Sequence, residues 1–263
     1  MTHPCRAIVR VMDYRACLCM IVISACLLLG GAVQAGCRQA LALGLDVSGS
    51  VDAREYRLQL DGLAQALGDR DVRDAILSLP EMPIRLMVFE WSGLVEQRVI
   101  VPWTEIDSGV TLARISATLS STRQRAAQDS STAIAAAMRF GARELMRQAD
   151  CLQRTLDISG DGPANIGAHP RDVPDSHLGD VTVNALVVLP FSRANTTKNL
   201  SNVKTLEDYY ESFVLRGPGA FTEAADDYTD FARAMRRKLL REVQLPGLST
   251  LRDNPGRPAR ALQ

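Results

Sequence analysis

The chain has 263 residues, with 30 Lys plus Arg balanced by 30 Asp plus Glu, so no overall field favours nucleic acid or an anionic membrane surface. Hydrophobic residues make up 46% and charged residues 23%, a globular composition that excludes a disordered chain. With an N-terminal segment set aside, the remainder suffices for one well-buried α/β domain and hardly for two.

From Met1 to Ala35, three arginines (Arg6, Arg10, Arg15) precede an apolar run, Ala16 to Leu29, and small residues end at Val33-Gln34-Ala35. This is the layout of a secretory signal cleaved after Ala35, which predicts a periplasmic or secreted protein. A retained anchor is the alternative, although the run is short for a span of about 20 residues. Lipidation at Cys37 is a third reading, with Gln34 a poor residue three places before it. No second apolar run approaches membrane length, so membrane contact is expected only through an uncleaved signal segment. Cleavage removes Cys5, Cys17, Cys19 and Cys26 and leaves Cys37 and Cys151.

Leu41-Ala-Leu-Gly-Leu45 is a short apolar run ending at Asp46, the pattern of a fully buried first strand. Asp52 and Glu55 form a capping-box pattern, and Tyr56, Leu60, Leu63 and Leu67 follow at helical spacing. Ile84 to Trp91 and Gln97 to Val101 read as two strands joined at Ser92-Gly93, an edge hairpin. Ile115 to Leu119 suggests a short helix, and Thr132 opens an alanine-rich one with Ile134, Met138 and Leu145 on one face. Thr155 to Ser159 is the next strand, ended by Gly160-Asp161-Gly162-Pro163, and Val181 to Leu189 is another. Asn195 to Lys204 reads as a loop. Tyr228, Phe231, Met235 and Leu239 mark a last amphipathic helix whose Arg236, Arg237, Lys238 and Arg241 complement its dipole.

This alternation predicts a doubly wound α/β fold: a mainly parallel sheet with helices on both faces and one antiparallel edge strand. The expected organisation is a signal peptide over 1–35, the domain over 36–245 and a loose Pro-, Gly- and Arg-rich tail over 246–263. Cys37 and Cys151 each precede an apolar segment that ends at an aspartate. If those segments are neighbouring parallel strands, the cysteines meet at the end opposite Asp46 and Asp161 and can form a disulfide. The alternative is two unpaired buried thiols.

Sheets of this kind bind ligands at the carboxyl ends of their strands, where Asp46 and Asp161 are placed. Asp46-Val-Ser48-Gly-Ser50 sets one carboxylate and two hydroxyls on alternate positions of a tight turn, so three hard oxygens point into one volume. Thr132 and Asp161 from two further loops complete a shell suited to a hard divalent cation. Ser48 does not sit in Gly-x-Ser-x-Gly, because Asp46 precedes it, which disfavours a nucleophile elbow. His169 and His177 flank a proline-rich loop without zinc spacing. Glu90 reads as a satisfied carboxylate before an outer-shell group, and Trp91 and Trp103 as core. Gly217-Pro-Gly219 reads as a structural turn.

Together these segments resemble von Willebrand factor A domains, whose metal-ion-dependent adhesion site combines Asp-x-Ser-x-Ser, a downstream Thr and an Asp before Gly. Asp46, Ser48, Ser50, Thr132 and Asp161 match in order. More closely, the chain is similar to a bacterial family of secreted von Willebrand factor A-like proteins of uncharacterised function. That likeness is carried by Leu45 to Tyr56, Glu90-Trp-Ser-Gly93, Val101-Pro-Trp103, Thr132-Ala-Ile134, Ile158 to Pro163, Tyr209-Tyr210 and Gly217 to Phe221. Ser130-Ser131 and Ala135 depart from it, standing where glycines are expected, and Pro170 and Pro174 interrupt an expected longer helix.

The resemblance implies a metal-dependent adhesion or scaffold module rather than an enzyme. In it Mg²⁺ or Mn²⁺, with Ca²⁺ as a further candidate, keeps one position open for the acidic side chain of a protein partner. A metal-dependent hydrolase of unknown substrate is the second reading, weakened because a phosphatase of related fold pairs its first aspartate with an acid two residues on, where Ser48 stands. A degenerate site holding only water is the third.

Overall fold

The computed structural model describes residues 36–125, 129–189 and 206–243. The expected signal segment, the loop from Asn195 to Lys204 and the C-terminal tail lie outside the described residues. Six strands form one sheet: β1 (Cys37–Asp46), β2 (Ile84–Trp91), β3 (Gln97–Ile106), β4 (Cys151–Gly160), β5 (Thr182–Val188) and β6 (Thr222–Ala225). Their order is β3-β2-β1-β4-β5-β6, and every neighbouring pair is parallel except β2 with β3. The expected fold is therefore present, hairpin edge included. Several elements run past their predicted limits: β1, β3 and β4 are each ten residues long. Beyond the expected elements, the sheet has β6 at its far edge.

All ten residues of β1 are buried, as the uninterrupted apolar run required of a central parallel strand. Alternation along it sends Leu41, Leu43 and Leu45 into one core layer and Ala40 and Ala42 into the other. The first layer packs under α1 (Ala53–Gly68), α2 (Arg70–Ile76), α3 (Gly109–Ser121) and the last helix, α7 (Phe231–Val243). The second packs under α4 (Ile134–Met146), the short α5 (Asp175–Leu178) and α6, a helix over 206–213. Gly44 is needed on this second face because a Cβ there would lie 2.6 Å from the Phe89 ring. Trp91 fills the same layer, fully buried.

The capping box forms as predicted. Asp52 accepts from the Arg54 and Glu55 amides, and Glu55 accepts from the Asp52 amide, so α1 starts immediately beyond the motif turn. Two other starts differ from expectation. Helix α3 begins at Gly109 behind Ser108, well before Ile115, and α4 begins at Ile134, two residues past Thr132. Pro170 and Pro174 do break the segment before β5, leaving a 3-10 turn at Pro170–Asp172 and the four-residue α5. Gly217 and Gly219 adopt φ of 86° and 71° in the turn before β6, where glycine has no steric penalty. No helix among the described residues is long and apolar enough to cross a membrane.

Strands β1 and β4 pair in register with Cys37 opposite Cys151, and the two form a disulfide with Cα atoms 4.5 Å apart across 114 residues of sequence. Replacing both cysteines by serine should lower stability by about 2–5 kcal/mol through the freed loop. Urea unfolding with and without reductant measures it; an unchanged midpoint would contradict the structural role assigned to the bridge.

Candidate metal centre

Order in the sheet reverses between β1 and β4, since β1 continues to β2 on one side while β4 lies on the other. Their carboxyl ends open the crevice at which such sheets bind ligands. Asp46 is the last residue of β1 and fully buried. Its Oδ1 accepts from the Ser48 amide at 2.7 Å, folding the turn back on itself, and Gln59 of α1 donates to its backbone carbonyl. The Ser48 and Ser50 hydroxyl oxygens are 3.3 Å apart. Ser50 Oγ donates to Asp161 Oδ1 at 2.7 Å, so the first and third loops meet directly. The structure thus links four of the five sequence-derived residues in one hydrogen-bonded chain, Asp46–Ser48–Ser50–Asp161.

Thr132 is reached differently. The Gly49 amide donates to the Ser130 carbonyl at 2.7 Å, and the Ala133 amide donates to Ser92. On its other side Asn165 grips Thr132 twice: its Oδ1 accepts from the Thr132 amide at 2.8 Å, and its amide donates to the Thr132 carbonyl at 3.0 Å. The second loop is thereby clamped between the first and the third, with Thr132 7% exposed. Ser130 occupies an expected glycine position by using its backbone, not its side chain, against Gly49. Thr132 makes no hydrogen bond to that four-residue chain among the described contacts; its hydroxyl lies 3.5 Å from Asn165 Nδ2.

Three groups absent from the sequence-derived set complete the surroundings: Tyr228, the Tyr209-Tyr210 pair and Asn165. Tyr228 donates to Asp161 Oδ2 at 3.0 Å, so both oxygens of that carboxylate are engaged. Burial, and then the charges of Asp161 and Asp46, push the Tyr228 hydroxyl up, keeping it a donor. Tyr210 is fully buried and donates to the Gly162 carbonyl, while Tyr209 accepts from the Ala164 amide. Two consecutive tyrosines of α6 thus hold the backbone just after Asp161. Asn165 is the third. Tyr209-Tyr210 lies within the matched segments but shows no spacing that names a role, and Tyr228 is 67 residues from Asp161.

Glu90 accepts from Tyr56 at 2.5 Å and from Arg98 at 2.7 Å and is spent as a satisfied carboxylate. Beside Ser48 opens a groove of about 330 Å³ walled by Val47, Val51, Gln124 and Arg125.

One observation bears on whether this shell suits a cation. Asp46 Oδ2 is buried and accepts no hydrogen bond from any described residue, and such a group is costly unless something positive faces it. Burial foremost, and then the charge of Asp161, push Asp46 up to about 7 against the lowering bonds from Ser48. The neighbouring donors are hydroxyls, neutral hard oxygens that suit Mg²⁺ or Mn²⁺. No three His, Cys, Asp or Glu side chains converge among the described residues, so a divalent ion here would depend on Ser48, Ser50 and Thr132 beside Asp46.

Comparison with known proteins agrees with this architecture. The family described as "Protein of unknown function (DUF1194)" matches residues 36–246, and no curated protein matches. Among solved structures, proximal thread matrix protein 1 from the mussel byssus, with a zinc-occupied MIDAS motif, aligns at 12% identity and a TM-score of 0.51, over 79% of this chain and 48% of that one. The pilus adhesin SpaC from Lactobacillus rhamnosus GG aligns at 14% identity and 0.54, over 79% and 30%. A von Willebrand factor type A structure from Catenulispora acidiphila gives 13% identity and 0.52, over 79% and 43%. The fold is that of a von Willebrand factor A domain, and the chain spans half or less of the length of each of these proteins.

Two outcomes follow from the electrostatics and the packing. Asp46 is raised above its unfolded value of about 4, so the folded state holds the extra proton between there and about 7. The metal-free protein therefore loses stability as pH rises through that window. Asp46→Asn should flatten the slope of thermal unfolding against pH; an unaltered slope would contradict the assignment. At Gly160 a Cβ would lie 2.3 Å from the Tyr210 hydroxyl and 3.1 Å from Asp46 Oδ2. Gly160→Ala should cost about 1–3 kcal/mol in denaturant unfolding, against under about 0.5 kcal/mol for an ordinary surface substitution.

Proposed function

We propose, for a chain that belongs to the DUF1194 family of proteins of unknown function, that it is an exported module that binds a protein partner through a divalent cation. The observation that carries the reading is the unpartnered, buried Asp46 Oδ2 at the carboxyl end of β1, followed by a turn that carries the Ser48 and Ser50 hydroxyls. Asp46, Ser48, Ser50 and Thr132 would hold the ion, with Mg²⁺ or Mn²⁺ favoured by the oxygen donors and Ca²⁺ a further candidate. When bound, that ion supplies an electrophilic position for a carboxylate of the partner.

Asp161 has Ser50 on one oxygen and Tyr228 on the other. It acts on the centre through the Ser50 hydroxyl, whose oxygen it makes a better ligand by accepting a hydrogen bond from it. With a single directly held carboxylate, the centre keeps a positive surplus for an acidic side chain. Arg125 at the wall of the adjoining groove adds positive charge where residues flanking that side chain would lie. The zinc-occupied MIDAS of the mussel protein supports the reading by likeness of fold.

Binding is favoured over hydrolysis by the surroundings of the site. The hydroxyls of Tyr210 and Tyr228 are driven toward retaining their protons, and Glu90 is engaged by Tyr56 and Arg98, leaving no free general base among these neighbours. The disulfide and the N-terminal Arg-then-apolar pattern support export to an oxidising compartment, periplasmic or extracellular.

Calorimetric titration should give one Mg²⁺ or Mn²⁺ per chain, and none for Asp46→Ala. At a hundredfold excess over Kd the ion should add about 2.7 kcal/mol to stability. Absence of binding by Mg²⁺, Mn²⁺ and Ca²⁺ would end the proposal. In pull-downs from envelope extract, capture of the partner should be lost with EDTA. Turnover in a phosphatase and esterase panel that Asp46→Ala abolishes would favour the hydrolase instead.

A further inference from the structure

A second group of charged side chains lies away from the metal centre, between the sheet and α7. Lys238 is fully buried, Asp157 is 2% exposed and Glu242 8%. The sequence suggests that Lys238 is a surface charge serving the helix dipole. Instead, its place on the buried face of α7 sends it inward, one turn before Glu242. Lys238 Nζ donates to Glu242 Oε1 at 2.7 Å, and Asn184 Nδ2 of β5 donates to the same oxygen at 2.7 Å. Asp157 of β4 brings Oδ1 to 3.1 Å from Nζ, an ion-pair contact without the alignment of a hydrogen bond. The Phe221 ring lies 4.6 Å from Nζ, and Arg241 covers that ring at 3.8 Å.

Two carboxylates here share one ammonium. Neither Asp157 oxygen nor Glu242 Oε2 accepts a hydrogen bond from any described residue, a costly way to keep charge in a dry interior. Burial foremost pushes Asp157 up to about 7, with Lys238 opposing and Glu242 adding to the rise. A protonated Asp157 beside a Lys238–Glu242 ion pair makes the cluster neutral. It also sets an acyl donor, the Asp157 carboxyl, and a proton-transfer carboxylate, Glu242, against the one Lys238 amine beside an aromatic wall.

We propose that Lys238 and Asp157 condense into an intramolecular isopeptide bond, with Glu242 as the proton-transfer residue. Glu242 takes one proton from the Lys238 ammonium, and the freed lone pair on Nζ attacks Asp157 Cγ. The Nζ–Cγ bond forms and the bond from Cγ to the carboxyl hydroxyl breaks. That hydroxyl leaves as water with a second Nζ hydrogen relayed by Glu242, which ends protonated. Atoms and charge balance without oxidant, reductant or co-reactant. Fixing the reactants in contact corresponds to effective molarities of about 10⁵–10⁸ M, which offsets the poor reactivity of a carboxylic acid toward an amine. The product ties α7 covalently to the strand that ends beside Asp161.

Intact mass of the full purified chain, reduced and denatured, tests this. The wild type should be lighter by one water than the unlinked chain with the same termini. Digestion should yield a branched peptide containing Lys238 and Asp157. Lys238→Arg and Glu242→Gln should both return to full mass. Wild-type protein at full mass, with both residues recovered in linear peptides, would overturn the proposal whether or not the variants fold. A branch joining Lys238 to Asn184 with ammonia lost would overturn the choice of acyl donor, and a linked Glu242→Gln would overturn the role of Glu242.

Discussion

The register between two adjacent parallel strands places everything else at this site. Strands β1 and β4 are both ten residues long and pair with a constant offset from Cys37 opposite Cys151 to Gly44 opposite Ile158. The offset that lets the disulfide close at one end carries Asp46 beside Gly160 at the other, one residue short of Asp161. A one-residue slip would turn Leu41, Leu43 and Leu45 out of their core layer, so hydrophobic burial enforces the register that aligns the carboxylates. The disulfide adds a covalent limit on separation of the same two strands.

With the strands set, the chemistry of the crevice follows from what its loops are gripped by. Buried Asp46 meets the half-buried Asp161 there, and desolvation, with repulsion from Asp161 second, raises Asp46. The loops around it are braced by polar side chains, most of them from later in the sequence. Tyr210 and Tyr209 hold the backbone after Asp161, Tyr228 holds its outer oxygen, and Asn165 holds the loop of Thr132. At Gly160 any side chain would meet both the Tyr210 hydroxyl and Asp46 Oδ2. Tyr228 sits in the 3-10 turn leading straight into α7, so the third loop is hydrogen-bonded to the turn that starts the last helix.

Where a residue's role was set by its own strand or turn, the sequence was readable. Asp46, Ser48 and Ser50 stand on one turn after an unbroken apolar run, and Asp161 ends another, so their convergence followed from parallel strands alone. The pairing of Cys37 with Cys151 was legible for the same reason. Strand β6, Thr-Glu-Ala-Ala, carries neither alternation nor β-branched density and exists because β5 offers it an edge. The start of β4 was hidden by Leu152-Gln153-Arg154, which are solvent-facing or only half-buried at the strand's end. The inward roles of Tyr228, Tyr210 and Lys238 depend on contacts tens of residues away. Lys238 is the clearest case: a basic residue near a helix C-terminus has an ordinary surface explanation, and only the polar Asp157, buried under α7, removes it.

The central claim is that the oxygens of Asp46, Ser48, Ser50 and Thr132 surround a cation that leaves one position open. Crystals grown with Mn²⁺ and measured for anomalous scattering test it most directly. The account predicts one strong peak at the carboxyl end of β1, in contact with Asp46 and the hydroxyls and separated from Asp161 by Ser50. Crystals with no peak there, or with the metal held elsewhere while Asp46 Oδ2 meets only water, would contradict it.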